Sequence, residues 1–287
     1  MKLLQVFILP VSMLLSFHLH GQPDLVVSHY QKQSRYDFGE QVLNLALSKL
    51  NIPYQIQTPS GPQLNEARGE VLVITGKLDL QWVSTSEKRE QKMIAIKIPI
   101  YQGILGLRLL LTTLEKHALI SQVKNLQQLQ QYVGGHGTHW RDLPVYAANS
   151  LPVSTYINYD SLFRQLADDR FDYFHRGLNE IWKEQKKHSN NLKIAQNIML
   201  FYPHPVYFFV NIHKPKLAQQ IEQGLILALQ DGSFKKLFLK EHQEFIDKGQ
   251  LTKRHLIRLK NPVVPEDSPR LNTQWWLPEK FQLSARN

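Results

Sequence analysis

The chain contains no cysteine in 287 residues. Disulfide staples, thiolate metal sites and a lipid anchor on an N-terminal cysteine are thereby excluded, so packing alone must hold the fold. Long runs of one charge are missing as well. Lys and Arg number 34 against 24 Asp and Glu, a net charge of +10, yet the cations are scattered, with only short pairs such as Lys186-Lys187 and Lys235-Lys236. That distribution reads as a basic surface rather than a nucleic-acid footprint, and no nucleic-acid motif accompanies it. A nucleic-acid partner is not expected. His136 and His139 stand three apart without cysteines or a metalloprotease helix motif beside them, so neither a metal nor another cofactor is expected. There is no internal repeat, and no low-complexity segment beyond a Gln-rich stretch over 123–132.

What is present begins with one apolar segment. Lys2 precedes an almost uninterrupted apolar run over 3–19, broken by Pro10, and His20-Gly21-Gln22 turn the chain polar. This order of charge, short apolar run and small residue is that of a secretory signal peptide over 1–21, with a soluble periplasmic product starting near Gln22. An uncleaved membrane anchor needs about 20 apolar residues, which this segment reaches only marginally. The remaining length suits one large domain or two lobes.

Along that remainder, strand and helix signals alternate. Leu25-Val26-Val27 is a continuous apolar run suited to a strand buried on both faces. The spacing predicts helices over 36–50, 159–167, 178–187, 215–230 and 234–245. Strands are expected over 54–58, 93–100, 104–113, 170–174 and 198–210, the last interrupted by Pro203 and Pro205. Residues 71–75 fit a helix end and a short strand equally. The glycine loop at Val133-Gly134-Gly135 leads into an expected helix over 140–148. From Asn261 onward, Pro262, Pro265, Pro269 and Pro278 with Trp275-Trp276 read as an irregular arm. The alternation places the chain in the α/β class.

The order of several short motifs resembles the class II periplasmic solute-binding proteins, in particular the family 3 amino-acid-binding proteins of ABC transporters. The residues are Gly76-Lys77-Leu78-Asp79 followed by Thr85 to Arg89, Ile98-Pro99-Ile100-Tyr101, and Val133-Gly134-Gly135-His136-Gly137-Thr138. Asp160-Ser161-Leu162-Phe163 with Arg170-Phe171-Asp172, Lys214-Pro215 to Leu225, and Asp231-Gly232-Ser233-Phe234 complete the series. The resemblance covers the chain to about Gln250.

It implies an α/β, two-lobed periplasmic-binding-protein type II fold, each lobe a mixed sheet flanked by helices. Lobe 1 would comprise 22–113 and 203–250, lobe 2 114–202, and 251–287 an arm packing on the lobes. Two crossing strands near 110–114 and 200–205 would form the hinge. A small-molecule ligand, a monomeric state, and an inner-membrane permease or sensor as partner are the implied setting. Arg89 would fork two N–H donors onto a ligand carboxylate, which lysine cannot reproduce. Ser84 and Thr85 would offer hydroxyls beside it. Gly137 and Thr138, at a helix start, would meet a ligand anion or simply cap the helix. Trp82 and Tyr30 would line the cleft with Trp140. Arg176 stands where amino-acid binders carry an ammonium-pairing aspartate, which favours an anionic ligand. An enzyme on the same fold, dehydratase-like, or a non-catalytic regulatory module are the alternatives. The sequence offers no positioned acid/base pair for the former, so a binding protein rather than an enzyme is expected.

Overall fold

The computed structural model describes residues 25–32, 37–60, 64–266 and 268. The expected signal segment and the Trp275-Trp276 pair lie outside them. Strand β1 (Leu25–Ser28) precedes helix α1 (Asp37–Ser48), which buries Phe38, Val42, Leu43, Ala46 and Leu47 at helical spacing. Strand β2 (Tyr54–Gln57) pairs with β1 in parallel. The ambiguous 71–75 segment closes a helix, α2 (Glu66–Ile74), started by the Asn65 side chain, which accepts the Arg68 N–H at 2.9 Å. Strand β3 (Leu80–Ser84), the short α3 (Glu87–Glu90) and β4 (Met93–Ile96) follow.

The chain then crosses to lobe 2. Strand β5 (Leu107–Thr113) is almost wholly buried, as befits a central strand. Next come α4 (His117–Ser121), α5 (Leu126–Leu129), β6 (Gly134–Gly137), α6 (Leu143–Ala148) and β7 (Val153–Tyr156). Helix α7 (Tyr159–Ala167), β8 (Tyr173–Gly177), α8 (Ile181–Lys187), β9 (Leu192–Ile194) and β10 (Ile198–Phe201) complete the excursion. The lobe 2 sheet runs β10-β5-β8-β6-β7, with β9 also along β5. The expected boundary at residue 113 is corrected here, because β5 pairs with β8, β9 and β10 over its whole length. The crossing lies earlier, where Gly106 meets the returning chain. A Cβ on Gly106 would stand 2.1 Å from the Tyr202 carbonyl oxygen, so only glycine admits this approach.

Pro203 and Pro205 end β10 and separate it from β11 (Val206–Asn211), which returns to lobe 1 and inserts antiparallel between β3 and β4. Strand β1 borders β3 through the Asp79 N–H to Ser28 carbonyl bond (3.0 Å), and the Gln31 amide bonds both polar groups of the Trp82 backbone at 2.8 Å. Lobe 1 thus holds a two-stranded sheet, β1-β2, set beside a three-stranded one, β3-β11-β4. Helices α9 (Pro215–Gln230) and α10 (Ser233–Gly249) cover it. The arm is not irregular throughout: β12 (His255–Arg258) adds in parallel to β10 at the edge of the lobe 2 sheet.

One apolar core joins α1, α9 and α10 to β3, β5, β8 and α7. Smaller cores fill the opposite faces, around Tyr30 and Phe209 in lobe 1 and around Tyr146 and Tyr202 in lobe 2. Among the described residues, no helix is long and apolar enough to cross a membrane.

Candidate functional site

A cavity of about 240 Å³ lies between the lobes. Lobe 1 contributes the end of β3 and the start of α3, through Ser84, Thr85, Ser86 and Arg89. Lobe 2 contributes Arg141 and Asp142 from the turn before α6. His204 and Pro205 from the second crossing form the floor, and Asn261, Val263 and Val264 close a side.

Arg89 is at this cavity, but its guanidinium is already committed. Its side chain is only 3% exposed, and Nε donates to Glu70 Oε2 at 2.8 Å. Nη2 donates to Glu66 Oε1 at 2.5 Å and lies 2.7 Å from Glu70 Oε2, while Nη1 bonds the Ser84 carbonyl at 2.6 Å. Glu66 and Glu70 are four apart on α2, which puts both carboxylates on one helix face. Glu66 also reaches across the cleft, its Oε1 3.0 Å from the Arg141 guanidinium of lobe 2. A carboxylate thus sits between two arginines, one from each lobe. Arg141 is 53% exposed, so its remaining donors face solvent.

Behind Arg141, Asp142 is tied into lobe 2 by three neighbours. Asp142 accepts from Tyr202 Oη at 2.5 Å and from Arg108 Nη2 at 3.2 Å, and its other oxygen lies 3.3 Å from His136 Nε2. Burial alone would raise the Asp142 pKa; the His136 hydrogen bond and the Arg108 cation outweigh it and hold the carboxyl well below its ordinary range. His136 is 0% exposed, so it backs Asp142 from within lobe 2 and does not itself meet the cavity. Burial, aided by Arg108, pushes His204 down to about 4, leaving a neutral imidazole on the floor at neutral pH. Among the described residues, no three His, Asp or Glu side chains gather as a metal site.

The structure brings Ser84, Thr85 and Arg89 together and takes the other predicted residues elsewhere. The Thr85 hydroxyl donates to Glu90 at 2.5 Å. Trp82 belongs to the core, 2% exposed, its ring 4.7 Å from His29 and 5.9 Å from Phe208. Tyr30 is likewise interior, bonded through its hydroxyl to Gln81 at 3.0 Å. Both are corrected from cleft to core: Trp82 sits on β3, which is buried on both faces, and Tyr30, past the end of β1, packs among Val73, Val83, Met93 and Phe209.

Gly137 ends β6, and the Thr138 N–H is used by the Tyr156 carbonyl at 3.0 Å. The expected helix at 140 starts only at Leu143, behind Asp142, so Gly137 and Thr138 neither cap it nor line the cavity. Arg176 is buried in lobe 2, bonded twice to Glu184 at 2.7 Å, paired with Glu180 at 3.0 Å, and packed over Trp140 and Phe174. It serves lobe 2 packing, not the cleft. Sequence reading missed Glu66, Arg141, Asp142 and residues 261–264. The Glu66/Glu70 spacing was visible, but nothing in the sequence joins it to Arg89, 23 and 19 residues on.

No protein-family profile matches the sequence, and no curated protein is similar to it in sequence. Solved structures are similar in fold. A probable amino-acid ABC transporter extracellular-binding protein of Bacillus subtilis, YtmK, superimposes with a TM-score of 0.54 at 16% identity, over 75% of this chain and 95% of that one. YckB of Bacillus subtilis superimposes with a TM-score of 0.52 at 14% identity, over 78% of this chain and 90% of that one. At such identities the likeness is one of fold: the chain has the two-lobed type II periplasmic-binding-protein architecture.

Proposed function

We propose that the chain is an exported solute-binding receptor that holds a small amino-acid-like solute between its lobes and hands it to a membrane permease or sensor. The observation that carries this is a pair of cavity-lining arginines, Arg89 of lobe 1 and Arg141 of lobe 2, that share one carboxylate, Glu66, just outside the lining. A solute carboxylate that exchanged with Glu66 would find the same two guanidinium groups, and donors from both lobes would favour the closed cleft. The Ser84 and Ser86 hydroxyls and the ionised Asp142 supply partners for an ammonium group at the other end. The cavity lies just below the ~300–1,000 Å³ typical of drug-sized ligands, which suits a solute of amino-acid size.

Thermal-shift measurements on the mature protein with each of the twenty L-amino acids test this. At a hundredfold excess over Kd, a specific solute stabilises by about 2.7 kcal/mol, several degrees in melting temperature. Glu66→Gln removes the internal competitor and should tighten binding of the same solutes roughly tenfold, about 1.4 kcal/mol. Flat melting temperatures for wild type and variant across the whole panel would overturn the proposal.

A further inference from the structure

We infer that the segment after β12, residues 259–265, is a third wall of the solute site and sets which side chains fit there. This rests on the reading of the interlobe cavity as the solute site. The segment is fixed at each step of its path. Leu259 continues the β12 pairing, its N–H donating to the Phe201 carbonyl at 2.8 Å. Lys260 is held to lobe 2 by both ends of one buried amide: its N–H donates to Asn149 Oδ1 at 2.9 Å, and Asn149 Nδ2 donates to its carbonyl at 2.8 Å.

Asn261 then makes the turn. Its Nδ2 donates to the Pro203 carbonyl at 2.7 Å and its Oδ1 accepts the Val263 N–H at 3.0 Å, an Asx-type turn built onto the crossing strand. Val263 and Val264 thereby come to line the same cavity as Ser84 and Arg89. Pro265 lies farther on, beside Met93, Ile94 and Ile212 at the free edge of β4 in lobe 1. Within six residues the chain passes from lobe 2, past the cavity, to lobe 1.

The composition of the cavity gives this wall its role. Ser84 to Ser86, Arg89, Arg141 and Asp142 are polar or charged, while Val263 and Val264, with Pro205, are the apolar surface. Polar groups fix the two charged ends of an amino-acid-like solute, so its side chain is left to the valines. In a cavity this small, two branched side chains leave room for a short aliphatic group and exclude a large one. Differences of one or two methylenes in such a pocket translate into about 10–200-fold in discrimination.

Variants of opposite sign test the inference with the same twenty L-amino acids. The Val263→Ala/Val264→Ala double variant should gain affinity for leucine, methionine and phenylalanine by about tenfold relative to wild type, while Val264→Phe should lose the solutes that wild type binds. Both valines are half-buried, so melting without solute should stay close to wild type and report intact folding. Identical affinity rankings in all three proteins would overturn the wall, leaving the receptor reading in place. No shift with any amino acid in any of the three would overturn the receptor reading, and the wall with it.

Discussion

His242 shows what a single buried side chain imposes. It projects from α10 into an aromatic nest, its ring 4.7 Å from both Phe38 and Phe238, and neither ring nitrogen has a hydrogen-bond partner. Burial pushes its pKa down to about 4. In the unfolded chain it titrates near 6.5, so below that pH the unfolded state binds the extra proton. The stabilising contribution is therefore complete above about pH 6.5 and drains away as pH falls toward 4. At pH 5 the loss is about 2 kcal/mol. His242→Leu removes the titration and leaves no polar atom unpaired, so urea unfolding at pH 7.5 and pH 5 should show a smaller acid loss than wild type by about that amount. Equal losses in the two proteins would show that His242 is not protonated on unfolding. At this scale the sequence was least legible. Arg89, Trp82 and Tyr30 could each be singled out from it, but whether an aromatic or an arginine meets the cavity or the core depends on partners far away in the chain. Glu66 and Glu70 decide it for Arg89, the double burial of β3 decides it for Trp82, and the small core around Phe209 decides it for Tyr30.

Elements were legible where local chemistry and periodicity agreed. Helix α7 is started by Asn158, whose side chain accepts the Ser161 N–H, and α9 begins with a proline at its first position; both match the sequence expectation to the residue. Helix α2 was ambiguous because only Gly69 and Val73 of its nine residues are buried, so it carries no apolar stripe. Strand β12 is four residues in a polar tail, and only its partner β10 makes it a strand. The helix α9 also carries the element-scale prediction. Its stripe of Leu217, Ala218, Ile221, Leu225 and Ala228 packs on α1, and Gly224 lies at the closest approach. A Cβ there would stand 2.0 Å from the Ala46 carbonyl oxygen, a backbone atom that cannot turn aside. Alanine gains about 1 kcal/mol in helix propensity over glycine, but overpacking a tight contact costs about 1–3 kcal/mol or more. With two backbones in collision the second term wins, and Gly224→Ala should lower the melting temperature by roughly 5 °C. An unchanged or raised melting temperature would mean that the two helices can slide apart freely.

The described residues form two lobes by topology, and more than the two crossing strands binds them mechanically. Helix α10 begins on lobe 1, where Phe238 meets Phe38 at 6.1 Å between ring centroids. It ends on lobe 2, where a Cβ on Gly249 would stand 2.9 Å from Leu178. The core cluster that contains Phe38 and Phe238 also contains Leu178, Ile181 and Leu251, so the apolar interior is continuous from one lobe to the other. Strand β12 then locks the chain after α10 onto β10, and Arg254 donates to the carbonyls of Gly249, Ala195 and Ile198 at 2.7, 2.8 and 3.1 Å. Lobes joined only by two crossing strands could melt separately, whereas lobes that share a core lose it together. Calorimetric unfolding should accordingly be a single transition whose van't Hoff and calorimetric enthalpies agree. A lobe 2 substitution such as Leu178→Ala, which opens a cavity under the end of α10, should cost about 2–5 kcal/mol and move the whole transition down. Two resolved transitions, with only one displaced by Leu178→Ala, would show that the lobes unfold independently and that α10 does not couple them.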